Sequence, residues 1–132
     1  RSPLHRLMSH NTLLLEFKGR KSGRILSTPI SYYLKDGCAF CFTNKSYMWW
    51  KNLTNGKTVS LLIAGKTYQS QPIVEVEIVS VKASELRNFL IEVPRDARSA
   101  GVELDPSGLP IESDILKAAP SLVSLKFPLE SI

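Results

Sequence analysis

Two short segments carry the side chains that could do chemistry in this sequence. The first, Gly19–Arg24 (GRKSGR), contains three cations, a hydroxyl group and two glycines within six residues. Glycine lets the backbone wrap round an anion, so amide N–H groups, the hydroxyl and the cations can donate to one ligand. The second, Met48–Leu53 (MWWKNL), contains both tryptophans of the chain. Together the two segments predict a receptor for an anionic ligand that has a planar aromatic part.

The two tryptophans are adjacent in a segment, Tyr47–Leu53, that predicts a short helix. Neighbouring helix positions lie about 100° apart, so both indoles cannot easily face the same core. We expect one tryptophan to pack inward with Leu53. The other, together with Met48, is expected to flank a ligand ring by stacking or by a sulfur–aromatic contact.

A second positive centre is expected at the start of this helix. Asn44 or Ser46 can cap the helix, and Lys45 and Lys51 lie on either side of its first turn. Capped helix N-termini attract anions because their amide groups and dipole are positive.

The charges of the chain are unevenly distributed. The net charge is +5, but residues 1–66 carry eleven Lys and Arg against two acids, and residues 67–132 carry six against ten. The first half therefore favours an anionic partner, such as a phosphorylated cofactor, a nucleic acid or an acidic membrane. A nucleic acid is disfavoured because both tryptophans lie in a helical segment, not between cations on a strand face. No apolar run approaches the roughly 18–20 residues that span a bilayer, so we expect no membrane insertion.

The cysteines and histidines predict no redox or metal chemistry. Cys38 and Cys41 lie in an apolar β run, where residues three apart point to opposite faces, so their thiols should diverge. Two buried, reduced cysteines are typical of a cytoplasmic protein. His5 and His10 have neither the order nor the spacing of zinc ligands, so no metal site is expected.

The hydrophobic pattern predicts one domain over residues 1–132, mainly β, with short helices. Five or six antiparallel strands with helices in their connections favour a small barrel. Pro29 cannot donate a ladder hydrogen bond and marks an edge strand or a bulge. Residues 95–112 read as irregular, with at most a helical turn. The predicted strands are Leu13–Lys18, Ile25–Leu34, Ala39–Thr43, Val59–Ala64, Thr67–Val81 and Leu122–Phe127, and the predicted helices are Tyr47–Leu53, Ala83–Val93 and Ile115–Ala119.

In these residues the chain resembles the deazaflavin-dependent nitroreductase family, within the flavin-reductase-like split β-barrels. The resemblance covers roughly residues 11–66 and rests on ordered motifs: Leu13-Leu14-Leu15, GRKSGR, Thr28-Pro29, WWKNL and Val59-Ser60-Leu61. It implies an antiparallel split β-barrel that binds coenzyme F-420, a deazaflavin with a phosphate and an oligoglutamate tail. It also implies hydride transfer from the reduced cofactor to quinones, nitroaromatics or other enones.

The resemblance also implies which residues hold the cofactor. The loop Gly19–Arg24 would hold the phosphate and tail, with Lys45 as a second tail contact, and the ring would lie against the tryptophan helix. The implied cofactor-binding residues are Arg20, Lys21, Ser22, Gly23, Arg24, Lys45, Met48, Trp49 and Asn52. Residues 82–132 lack the Arg/aromatic pattern that brings a substrate-side tyrosine in this family.

Several alternatives stay open at the level of sequence. Relatives of the family use FMN, so FMN is the alternative cofactor. No general acid–base pair stands out and no catalytic residue is assigned; a cofactor can carry the chemistry instead. A flavin carrier or sensor without turnover is therefore the alternative function. The oligomeric state is open, a homodimer included.

Overall fold

The computed structural model describes residues 11–54 and 56–131, in which strands alternate with short helices. The strands are β1 (Thr12–Lys18), β2 (Ile25–Ser31), β3 (Tyr33–Lys35), β4 (Cys38–Asn44), β5 (Val59–Ile63), β6 (Lys66–Ser70), β7 (Ile73–Glu75), β8 (Leu122–Pro128) and β9 (Glu130–Ser131). The α-helices are α1 (Val79–Glu92), α2 (Ala97–Ala100) and α3 (Glu112–Ala118). Three 3₁₀ helices span Trp49–Leu53, Pro94–Asp96 and Ala119–Ser121.

The strands form two antiparallel sheets. The first has the order β2-β1-β5-β6-β9 and the second the order β3-β4-β8-β7. Pro29 lies in β2, at the edge of the first sheet, as its missing N–H predicted. The mainly β class with short helices is confirmed, but the described residues form nine strands, more than the five or six expected. Several are short, because two predicted strands are each divided between the sheets.

The second sheet separates two hydrophobic clusters. On one side, Cys41 of β4 and Leu125 of β8 join the cluster that fills the space between the sheets. On the other side, Phe40 packs with residues of α1 such as Leu86 and Phe89. Cys41 is in the first cluster and Cys38 packs against the second, so the predicted divergence of the thiols is confirmed. Alternate residues of one strand thus serve two cores.

The predicted long strand Ile25–Leu34 is wrong in one respect, since it breaks at Tyr32. The chain leaves the first sheet after Ser31 and enters the second at Tyr33, and the Tyr32 amide donates to the Asn11 carbonyl across 2.9 Å. This crossing changes which residues face a core, and both Tyr32 and Tyr33 are buried. Leu26 of β2 and Leu34 of β3 are both exposed, at 41% and 53%.

The predicted strand Thr67–Val81 is also wrong beyond its first part. It becomes β6 and β7, in different sheets, and Val79–Val81 belongs to α1. The Glu75 carboxylate accepts hydrogen bonds from the amides of Glu77 (3.0 Å) and Ile78 (2.9 Å), which turns the chain from strand to helix. Val74 and Val76 pack on the first cluster, whereas Ile78 is exposed.

The helix predicted over Tyr47–Leu53 is shorter and of another type. It is a 3₁₀ helix over Trp49–Leu53, and no side chain caps it. Asn44 turns its oxygen instead to the amide (2.9 Å) and hydroxyl (2.7 Å) of Ser46, which makes a local turn before the helix. A capped helix start is therefore absent from this segment.

Candidate functional site

The basic loop between β1 and β2 is a tight, internally hydrogen-bonded turn. The Gly19 amide donates to the Arg24 carbonyl (2.8 Å) and the Gly23 amide to the Gly19 carbonyl (2.9 Å). Gly23 has φ 71°, which favours glycine. A Cβ at the buried Gly19 would lie 2.8 Å from Ser22 Oγ, so a larger residue there would displace the Ser22 side chain. The loop is thus a defined shape and not a disordered basic stretch.

The tip of this loop carries hydrogen-bond donors that make no bond to any described part of the protein. Four amides of the loop already donate hydrogen bonds. Besides those of Gly19 and Gly23, the Arg24 amide donates to Ser22 Oγ (3.2 Å) and the Arg20 amide donates to a side chain outside the loop. Across residues 11–54 and 56–131, the amides of Lys21 and Ser22 donate no hydrogen bond, and no loop cation has an ion-pair partner. Ser22 Oγ accepts from Arg24, so its own proton remains available. Two amides, a hydroxyl and three cations can therefore converge on an anion.

A direct hydrogen bond joins the loop to the 3₁₀ helix of the tryptophans. Asn52 Oδ1 accepts from the backbone amide of Arg20 at 2.8 Å and from Arg20 Nη1 at 3.3 Å. Asn52 Nδ2 donates to the Trp49 carbonyl at 2.8 Å. The structure thus brings the two sequence-predicted segments together, although 32 residues separate Arg20 from Asn52.

The two tryptophans are both in contact with the first core. Trp50 is 6% exposed and packs there with Leu53, and its Nε1 donates to the Lys45 carbonyl at 3.3 Å. Trp49 is only partly buried, with its ring centroid 6.1 Å from that of Phe17. The expectation that they face different surroundings is therefore only partly right. Trp49 thus packs against the core with part of its surface, whereas Met48 is 55% exposed.

Lys45 is placed less favourably than the loop residues. Its backbone is fixed, because its amide donates to the Ser121 carbonyl at 2.8 Å and its carbonyl accepts from Trp50. Its side chain is exposed, and within the described parts of the chain it makes no hydrogen bond to the loop. Its charge instead acts on Lys82, whose pKa it helps to lower. A role of Lys45 in holding the cofactor tail stays a prediction.

The sequence pattern does not identify Lys82 as a buried residue. It is 1% exposed, and its Nζ donates to the carbonyls of Val76 (2.6 Å) and Leu122 (3.0 Å). Burial, followed by repulsion from Lys45, lowers the pKa of this lysine. Its position four residues before Leu86 could have revealed it, because the two share one helix face.

The other buried titratable groups are unsuited to chemistry. Burial raises the pKa of the Cys41 thiol, so Cys41 is not a nucleophile at neutral pH. Burial also raises the pKa of Tyr32 and of Tyr33. Among the described residues, no group of three or more His, Cys, Asp or Glu side chains is arranged to hold a metal ion. His5 and His10 lie outside those residues.

A cavity of about 230 Å³ lies between the second sheet and the helices. Phe42 and Phe89 form part of its wall, and Tyr47, Asp96 and Ser99 also line it. The sequence pattern does not predict this cavity, because residues 95–112 read as irregular. In the structure they begin with a 3₁₀ turn and α2, which bring Asp96 and Ser99 against β4.

No protein-family profile and no curated protein sequence matches the chain. Several solved structures are similar in fold. A FAD-binding protein from Mesorhizobium loti has a TM-score of 0.56 at 14% identity, covering 99% of this chain and 90% of that one. A Clostridium acetobutylicum protein related to general stress protein 26, of the pyridoxinephosphate oxidase family, has a TM-score of 0.56 at 14% identity. The match covers 96% of this chain and 81% of that one. The flavocytochrome Anf3 from Azotobacter vinelandii has a TM-score of 0.61 at 12% identity. The match covers 93% of this chain and 60% of that one.

This likeness shows the fold. The chain has a mainly β fold of the split-barrel type, as predicted, and its two described sheets are not joined into one closed barrel. The narrower resemblance to deazaflavin-dependent nitroreductases stays a prediction. No helix within residues 11–54 and 56–131 is long and apolar enough to cross a membrane.

Proposed function

We propose that this chain is an oxidoreductase that binds a phosphorylated flavin-type cofactor between the basic loop and the tryptophan helix. Coenzyme F-420 is the first candidate and FMN the alternative. The acceptor would be a quinone, a nitroaromatic or an enone-like compound. The hydrogen bonds from Arg20 to Asn52 carry the proposal, because they place anion donors beside a helix that offers an aromatic face.

The donor set of the loop fits the anionic part of such a cofactor. The free amides of Lys21 and Ser22 can bind phosphate oxygens, as backbone amides in concave turns do. Arg20 and Arg24 can add bidentate, charge-assisted hydrogen bonds. An oligoglutamate tail carries further carboxylates, which is why a loop whose three cations form no ion pair with the described residues favours F-420 over FMN.

The tryptophan helix fits the ring system. Trp49 is held against Phe17 on one side, and the neighbouring Met48 is exposed, so a planar ring can lie against them. Asn52 holds the Trp49 carbonyl and the loop together, which fixes the spacing between ring and tail contacts. When bound, the reduced cofactor supplies the hydride that the acceptor receives. The protein's part is to bind and orient.

The decisive experiment is a titration of the protein with F-420 and, separately, with FMN, followed by absorbance and fluorescence. Saturable binding of either one supports the proposed site. Each reduced cofactor is then mixed with a quinone and with a nitroaromatic, and its oxidation is followed. Tight binding without turnover would favour the alternative, a flavin carrier or sensor.

A charge-reversal variant locates the binding. Arg20→Glu combined with Lys21→Glu should weaken affinity, since each charge-assisted hydrogen bond is worth about 1.5–3 kcal/mol, or roughly tenfold to a hundredfold. The matched control combines Lys35→Glu with Lys117→Glu, which changes the net charge equally at exposed positions away from the loop. Unchanged affinity in the loop variant, with its fold intact by circular dichroism, would remove the proposed site.

A further inference from the structure

The cavity between the second sheet and the helices lies outside the cofactor site just proposed. We propose that it binds a small monocyclic aromatic compound that carries a protonated amine. The inference does not depend on the proposed oxidoreductase function, because it rests on other residues.

The apolar part of the cavity suits an aromatic ring. Phe42 and Phe89 meet edge to face, with centroids 5.5 Å apart and ring planes at 62°, and Leu86 and Leu122 complete the apolar lining. An engineered apolar cavity of roughly 150 Å³ is large enough for benzene. At about 230 Å³, this cavity has room for one substituted ring.

The polar end of the cavity selects the charge of the ligand. Among the described residues that line it, Asp96 is the only one with a formal charge. Its side chain is 25% exposed, and its ion pair with Arg95 is long, 3.8 Å from Nε to Oδ1. The carboxylate can therefore accept a charge-assisted hydrogen bond from an ammonium group.

A hydroxyl group beside this carboxylate can contribute to the same recognition. Ser99 Oγ donates to the Asp96 backbone carbonyl at 3.0 Å, so the lone pairs of the hydroxyl remain available to accept from a ligand amine. An anionic ligand would meet no cation among the described lining residues and would lie beside the Asp96 carboxylate, whose only ion pair is the long one with Arg95 among those residues that the structure describes. Tyr47, 58% exposed, stands beside the cavity and can cover a bound ring.

The test uses three probes with the same phenol ring: tyramine, which is cationic; 4-ethylphenol, which is neutral; and 4-hydroxyphenylacetate, which is anionic. Binding to the full chain is measured by calorimetry and by NMR shifts of the lining residues. We expect tyramine to bind at least tenfold more tightly than 4-ethylphenol, and the anion to bind most weakly. Binding of the anion as tight as that of tyramine, or no saturable binding of tyramine, would overturn the proposal.

Two variants separate the charge contribution from the shape contribution. Asp96→Asn should lower tyramine affinity about tenfold or more and leave 4-ethylphenol binding unchanged, whereas Glu103→Gln, outside this cavity, should change neither. Ala100→Leu should fill the cavity and weaken both ligands, with the fold checked by circular dichroism. Full tyramine affinity in Asp96→Asn would contradict the assigned role of the carboxylate, and full affinity for both ligands in Ala100→Leu would place binding elsewhere.

Discussion

Asn52 accepts two hydrogen bonds from Arg20, one from its amide at 2.8 Å and one from its guanidinium at 3.3 Å. The same side chain donates to the Trp49 carbonyl, so one amide group holds the loop against the tryptophan helix. Arg20 is thereby oriented without an acidic partner among residues 11–54 and 56–131. Because Asn52 is neutral, the charge of Arg20 remains available for a ligand, whereas a carboxylate partner would neutralise it.

Replacement of this amide should affect binding more than stability. Asn52→Ala removes hydrogen bonds that are partly solvent-exposed, so we expect the free energy of unfolding to fall by only about 0.5–1.5 kcal/mol. The loop would lose its fixed position, and affinity for F-420 or FMN should fall about tenfold or more. The measurements are urea unfolding and a cofactor titration.

Asn88→Ala is the matched control for this prediction. Asn88 is a half-buried asparagine of α1 and makes no side-chain hydrogen bond to other described residues. The Asn88→Ala variant should leave affinity for F-420 or FMN unchanged. Equal losses of affinity in Asn52→Ala and Asn88→Ala would show that the link between loop and helix has no specific role.

Cofactor affinity should depend on salt. Arg20, Lys21 and Arg24 are exposed, and exposed charges are screened over about 8–10 Å at physiological ionic strength. We therefore expect the dissociation constant to rise markedly between low and physiological salt, and more steeply for F-420 than for FMN because its tail carries more charge. Titrations in a series of NaCl concentrations measure this. Affinity independent of salt would instead indicate binding dominated by ring stacking.

The two tryptophans should behave differently when replaced. Trp50 is buried with Leu53, so Trp50→Ala should cost about 3–5 kcal/mol of stability. Trp49→Phe keeps an aromatic ring near Phe17 and should cost only about 1 kcal/mol, but it should reduce quenching of tryptophan fluorescence by the cofactor. Melting temperature and quenching are measured for both variants. If neither variant alters quenching, the helix is purely structural.

The sequence predicted those strands that stay in one sheet. β1, β4 and β8 were found nearly to their ends, because each alternates or is apolar over its whole length and pairs along all of it. The turn between β3 and β4 falls at Asp36 and Gly37, a pair of residue types that tolerates the positive φ angles of 53° and 75° found there. Local periodicity and turn chemistry suffice for such elements.

The elements that were missed depend on contacts distant in sequence or on a single side chain. Nothing in the apolar run Ile25–Leu34 shows that Tyr32 passes between two sheets. The β-branched start of α1 resembles a strand, and only the Glu75 carboxylate, which accepts from two following amides, turns it into a helix. The same holds for the site, since the loop and helix could be identified but their link through Asn52 could not.

The buried Lys82 predicts a specific pH dependence of stability. Because burial lowers its pKa in the folded protein, the unfolded chain binds more protons just below the ordinary lysine pKa of about 10.4. The contribution of Lys82 to stability should therefore rise with pH as the pH approaches that value from neutrality. Tyr32 and Tyr33 act in the opposite direction above about pH 10, since burial raises their pKa and the folded form retains the protons.

Lys82→Met isolates the contribution of the lysine, because the tyrosines are common to both proteins. The variant leaves the carbonyls of Val76 and Leu122 without their buried donor, so it should be less stable than the wild type at every pH from 7 to 10 by about 1–3 kcal/mol. The difference should widen as pH rises towards 10, since the wild type gains stability that the variant cannot gain. Urea unfolding at several pH values measures both curves. Parallel curves would mean that the amine titrates alike in the folded and unfolded chains, and that its burial does not perturb it.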